Sequence, residues 1–126
     1  MLDPEWLQEL FGPFGAVGVR RFFGGQGVYL DGIIVALVAD GVLYLKSDAE
    51  TTPAFDAARL APFSYVAKCE RRVITSYRRA PAEALDDPDA LRPWIELARE
   101  AAGRAMAKKA GGRSGKPASK RKRLAR

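Results

Sequence analysis

The sequence predicts an α+β fold: an N-terminal helix, an antiparallel sheet of about five strands with a short inserted helix, and a long C-terminal helix packed on the sheet. Three observations predict it. Residues 20–46 contain two Asp-Gly dipeptides, Asp31-Gly32 and Asp40-Gly41, each between apolar runs. Two Asp-Pro pairs, Asp3-Pro4 and Asp87-Pro88, each precede apolar residues at helical spacing. Residues 63–67 (FSYVA) and 72–79 (RVITSYRR) flank a turn at Cys69–Arg71 and form a second hairpin.

Asp3 is a good helix N-cap, and Pro4 at the first helical position loses no N–H that the helix needs. Trp6, Leu7, Leu10 and Phe11 form the buried stripe, and Gly12-Pro13 ends the helix. Residues 17–23 read as an edge strand, because neither of its alternating faces is cleanly apolar. Gly24-Gly25-Gln26-Gly27 lacks the Lys-Ser/Thr of a phosphate loop and precedes a strand rather than a helix, which makes it a glycine-rich bend or bulge.

A two-residue hairpin loop needs positive φ at both central positions, which Asp-Gly supplies at low cost. The two Asp-Gly pairs therefore predict a meander of strands at roughly 27–30, 33–39 and 42–46. Every side chain from Ile33 to Ala39 is apolar, so this strand is covered on both faces or meets another chain on its second face. Thr52-Pro53 starts a short helix through about Arg59, with Phe55 and Ala58 as its contacts. In the last helix Leu91, Trp94, Ile95, Ala98, Ala101, Ala102 and Ala105 make the packing stripe. Arg92, Glu96, Arg99, Glu100 and Arg104 read as its solvated face.

Charge divides the chain. Nine of its 21 Lys and Arg lie in residues 108–126: Lys108, Lys109, Arg113, Lys116, Lys120, Arg121, Lys122, Arg123 and Arg126. The other 12 face all 15 acids, so residues 1–107 carry a net −3. The reading is one domain over residues 1–107 and a basic tail over 108–126, disordered from Gly111 because glycine, serine, proline and bases cannot bury enough surface to offset ordering entropy.

Histidine is absent and Cys69 is the only cysteine. An intramolecular disulfide, a Cys/His zinc site and a Ser-His-Asp triad are thereby excluded. Bases stand on both sides of Cys69, at Lys68, Arg71 and Arg72, but its turn position and the lack of a histidine partner fit an incidental exposed thiol rather than a nucleophile. No catalytic, cofactor or metal residue is assigned. The longest apolar run, residues 33–39, is far short of the ~20 residues a spanning helix needs, and the N-terminus lacks the basic and apolar regions of a signal peptide. The expected location is cytoplasmic.

Several stretches together resemble the N-terminal domain of the TfoX/Sxy family of competence regulators. They are Arg20-Arg21-Phe22-Phe23-Gly24-Gly25, GVYLDG at 27–32, ALVADGVLYLKSD at 36–48, Pro53-Ala54-Phe55, Phe63-Ser64-Tyr65 with Lys68, Ser76-Tyr77, Pro81, and the helix with Leu91 and Trp94. The family usually has Met where Phe22 stands. The resemblance covers about residues 6–105 and implies the same α+β fold. It also implies a stand-alone N-terminal domain, since the family's competence regulators carry a second helical domain where this sequence has its basic tail. Similar folds among secretion-chaperone-like domains often pair as dimers. The resemblance brings no catalytic residues.

The functional expectation is a non-enzymatic regulatory or interaction domain, transcription- or competence-related by resemblance, with a protein partner. Its tail, extended by Arg20 and Arg21, contacts nucleic acid without sequence preference. The tail holds no aromatic residue and so offers no base-stacking platform. The alternatives are a chaperone-like dimeric scaffold without nucleic-acid binding, and a small enzyme using Arg20, Arg21, Tyr29, Lys46, Tyr77 or Cys69.

Overall fold

The structure, a computed structural model, describes residues 2–22 and 24–114. It begins with helix α1 (Pro4–Phe11), extended by a 3-10 turn over Gly12–Phe14. Strands β1 (Val17–Phe22), β2 (Gly25–Leu30), β3 (Ile33–Ala39) and β4 (Val42–Lys46) follow. Helix α2 (Thr52–Ala57) leads to β5 (Pro62–Ala67) and β6 (Glu70–Arg79). A 3-10 turn (Ala82–Ala84) precedes helix α3 (Pro88–Ser114).

Both Asp-Pro starts cap their helices in the same way. Asp3 Oδ1 accepts the Glu5 N–H at 2.9 Å and its carbonyl accepts the Leu7 N–H at 3.0 Å. Asp87 accepts the Asp89 N–H through Oδ1 and the Leu91 N–H through its carbonyl, each at 3.0 Å. Each cap satisfies N–H groups that a helix start leaves without partners.

The strands form one antiparallel sheet of six, in the order β1-β2-β3-β4-β6-β5. The sheet has six strands where about five were expected, and the glycine cluster lengthens β2, which begins at Gly25 rather than at about residue 27. Gly24, at φ 70°, lies in the turn, while Gly25, Gln26 and Gly27 pair with Phe22, Arg21 and Arg20. The expected turns are present: φ is 52° and 85° at Asp31 and Gly32, and 52° and 74° at Asp40 and Gly41. Lys68 and Cys69 close the third two-residue turn at φ 53° and 65°. The two edge strands are β1, as expected, and β5, which tolerates Pro62 because an edge leaves one row of N–H groups without a ladder partner.

A bulge between β2 and β3 pairs Val28 with Ala36 and Tyr29 with Ile34, leaving Val35 extra. Consecutive residues Val35 and Ala36 are consequently both buried. Helix α3 packs on β3 and β4, and α1 on β1. The core joins Leu7 and Phe11 of α1, Val28 and Leu30 of β2, Leu43 and Leu45 of β4, and Leu91, Ile95 and Ala98 of α3. Phe55 of α2 is fully buried, with its ring centroid 5.2 Å from that of Trp94, whereas Ala58 is exposed and is not the contact expected of it. The α2 start also moves by one residue, with Thr51 at the cap position.

The α3 stripe is buried at Leu91, Ile95, Ala98, Ala101 and Ala102, but Ala105 is exposed. Helix α3 continues to Ser114, so the boundary drawn at residue 107 falls inside a helix and Gly111–Ser114 are helical. Among the described residues, no helix is long and apolar enough to cross a membrane.

Candidate functional site

The register of the sheet assembles a site from residues on five strands. Arg20 pairs with Gly27, Gly27 with Leu37, Leu37 with Tyr44, and Tyr44 with Arg79. Directly paired residues share a face, so these positions form one row across β1, β2, β3, β4 and β6. At about 4.8 Å per strand the row is roughly 19 Å long. It lies on the face opposite Leu43 and Leu45, because side chains alternate along a strand. The expectation that β3 is covered on both faces is corrected within this chain. Val35, Ala36 and Val38 are buried, whereas Ile34, Leu37 and Ala39 keep partial exposure.

Aromatic rings and cations meet on this face. Arg20 lies over the Tyr29 ring, 5.5 Å from guanidinium carbon to centroid. Lys46 Nζ is 4.8 Å from the Tyr77 centroid. Tyr44 meets Phe63 edge-on at 5.0 Å, and Phe63 stacks with Tyr65 at 5.8 Å and 26° between planes. Tyr65 is 43% exposed, which leaves its ring accessible to a partner. No carboxylate stands in the five-strand row; Glu70, opposite Ala67 at the hairpin tip, is the acid that shares the register of Tyr65 and Arg72. Burial pushes the Lys46 amine below its ordinary value, against the opposing pull of Asp48. Burial pushes the Tyr77 phenol up.

A cleft of about 510 Å³ borders this face where α3 passes the end of β4 and the middle of β6. Lys46, Ser76, Arg104 and Lys108 are among its lining residues. One wall is organised by Asp48, which accepts two N–H groups of Arg104 at 2.6 and 3.1 Å. The Asp48 carboxyl is held below its ordinary range first by Arg104, then by backbone N–H groups of Thr51 and Glu50.

The structure distributes the sequence-derived site residues unevenly. Arg20 lies on the uncovered face, but Arg21 pairs with Gln26 and belongs to the opposite one, so the two do not make a single patch. Lys108 is exposed at the cleft. Lys109 and Arg113 continue α3. Lys116, Lys120, Arg121, Lys122, Arg123 and Arg126 lie outside the described residues. Cys69 is exposed in the β5–β6 turn. Sequence reading missed Tyr44, Phe63, Tyr65 and Arg79 as members of one surface. The signal available was period-two alternation, but alternation does not say which strands become neighbours.

The arrangement defines a class: an α+β domain with helices on one face of an antiparallel sheet and an aromatic, cationic surface on the other. The family model described as the TfoX N-terminal domain matches residues 9–102, and the chain belongs to that family. No curated protein matches the chain.

Proposed function

We infer that this chain is a non-enzymatic regulatory interaction domain whose basic C-terminal segment contacts nucleic acid without sequence preference. The carrying observation is charge segregation: nine bases and no acid in residues 108–126, against a net −3 in residues 1–107. Family membership supports the regulatory part of the reading. Helix α3 supports the contact by carrying Lys108 beyond its buried stripe, whose last buried residue is Ala102. Bases that neutralise phosphates release counterions, which makes the affinity fall with salt.

Titration of two unrelated duplexes by fluorescence anisotropy at several salt concentrations tests this. The expected result is equal, salt-sensitive binding of both duplexes. Salt-independent binding, or no binding at low salt, would overturn it.

A second reading, a dimeric protein-binding scaffold, is favoured by the β5–β6 hairpin. Val66 and Val73 are 62% and 53% exposed, and the register puts them on one face of it. Sedimentation equilibrium would then show a dimer that Val66→Ser weakens.

A further inference from the structure

We propose that the uncovered sheet face binds single-stranded nucleic acid, with Tyr44, Phe63 and Tyr65 as base-stacking surfaces and Arg20, Lys46 and Arg79 as phosphate contacts. The tail has no aromatic residue, so this is a separate surface with different chemistry. It stands or falls independently of duplex binding by the tail.

The face supplies both elements of such recognition. Bases stack on aromatic rings with little regard to sequence, while cations beside the rings follow the backbone. Here Tyr44, Phe63 and Tyr65 form a connected cluster, with centroids 5.0 and 5.8 Å apart. Arg20 and Arg79 stand at the two ends of the five-strand row, and both are exposed. The row's length, roughly 19 Å, matches about five nucleotides of a stacked strand. Charge complementarity selects a polyanion, because cations occur along the row and carboxylates do not. A duplex buries its bases in the stack and cannot use the rings, whereas a single strand offers its bases to them.

The test uses the full chain and labelled oligothymidylate and oligouridylate of about 12 nucleotides, with a duplex of the same length for comparison. Anisotropy at moderate salt should show either single strand bound at least about five-fold more tightly than the duplex. The two single strands distinguish DNA from RNA as the preferred source. Tyr65→Ser and Tyr44→Leu should each weaken single-strand binding about five-fold or more and leave duplex binding unchanged. Arg79→Gln should weaken single-strand binding and reduce its salt dependence. Replacing Lys120, Arg121, Lys122 and Arg123 by Gln should preserve the single-strand preference. Thermal melts check that each variant folds; if Tyr44→Leu does not, the exposed positions Tyr65 and Arg79 carry the test. Equal affinity for duplex and single strands would overturn the proposal, as would single-strand binding that Tyr65→Ser and Arg79→Gln leave intact. A dimer in sedimentation equilibrium that Tyr65→Ser dissociates, without loss of oligonucleotide binding, would assign the face to a second copy instead.

Discussion

Arg104 of α3 and Asp48 of the β4–α2 loop, 56 residues apart, form a two-point ion pair with N–O distances of 2.6 and 3.1 Å. Asp48 also accepts the N–H groups of Glu50 and Thr51, each at 3.1 Å. One carboxylate thus shapes the turn into α2 and fastens that turn to α3. Asp48→Ala removes both functions and should cost about 1–3 kcal/mol, whereas Arg104→Ala leaves the turn bonds in place, removes the ion pairs with Asp48 and Glu50, and should cost less. Urea melts of the two single variants and the double variant measure their coupling. Additive effects would show that the pair contributes nothing beyond the turn.

Acid should weaken the same contacts. The Asp48 carboxyl is held down first by Arg104, and that of Asp31 first by the Ala16 N–H and then by Arg99. A carboxyl with a lowered folded pKa binds fewer protons in the folded chain than in the unfolded one. Its stabilisation is therefore present above the unfolded value of about 4 and is lost as pH falls through the lower folded value. Melting temperatures measured downward from pH 5 should fall below about pH 4, and less steeply in Asp48→Asn than in the parent chain.

Gly15 should not tolerate a side chain. Its φ is 158°, and a Cβ there would lie 2.9 Å from Asp31 Oδ2 and 3.2 Å from Arg99 Nη1. Around it Ala16 donates to Asp31 Oδ1 at 3.0 Å, and Arg99 donates to the Phe14 carbonyl and to Asp31 Oδ2. Gly15→Ala should lower stability by roughly 1–3 kcal/mol in a denaturant melt. A neutral result would show that the loop shifts without loss of these bonds.

Cys69→Gly should have the opposite effect. Lys68 and Cys69 both hold positive φ, at 53° and 65°, in a turn that favours Asn-Gly. Relieving one left-handed residue is worth about 1 kcal/mol, reduced somewhat by the added freedom of glycine in the unfolded chain. A rise in denaturation midpoint is expected, and because Cys69 is exposed no packing should be lost.

The tail has a quantitative signature. If about five of its charges contact phosphates, the log–log dependence of affinity on salt should have a slope near −4 to −5. Substituting Lys120, Arg121, Lys122 and Arg123 with Gln should flatten the slope and weaken both duplexes alike. A slope unchanged by these substitutions would place the contacts elsewhere.

The sequence by itself determined the features that depend on neighbouring residues. Asp3-Pro4 and Asp87-Pro88 start helices because a cap is made by the first turn alone. Asp31-Gly32 and Asp40-Gly41 reverse the chain because their backbone preferences do not require distant partners. Only the tertiary structure decided what Arg99 and Arg104 do. On the helix surface both look like solvated charges, but their partners Asp31 and Asp48 arrive from loops 68 and 56 residues away. The same applies to the candidate site. Consecutive residues Arg20 and Arg21 project to opposite faces, while Arg20 and Arg79 share one row. Side-chain alternation is local, but strand order and register are set by long-range pairing and core burial, and those alone bring the ends of that row into one surface.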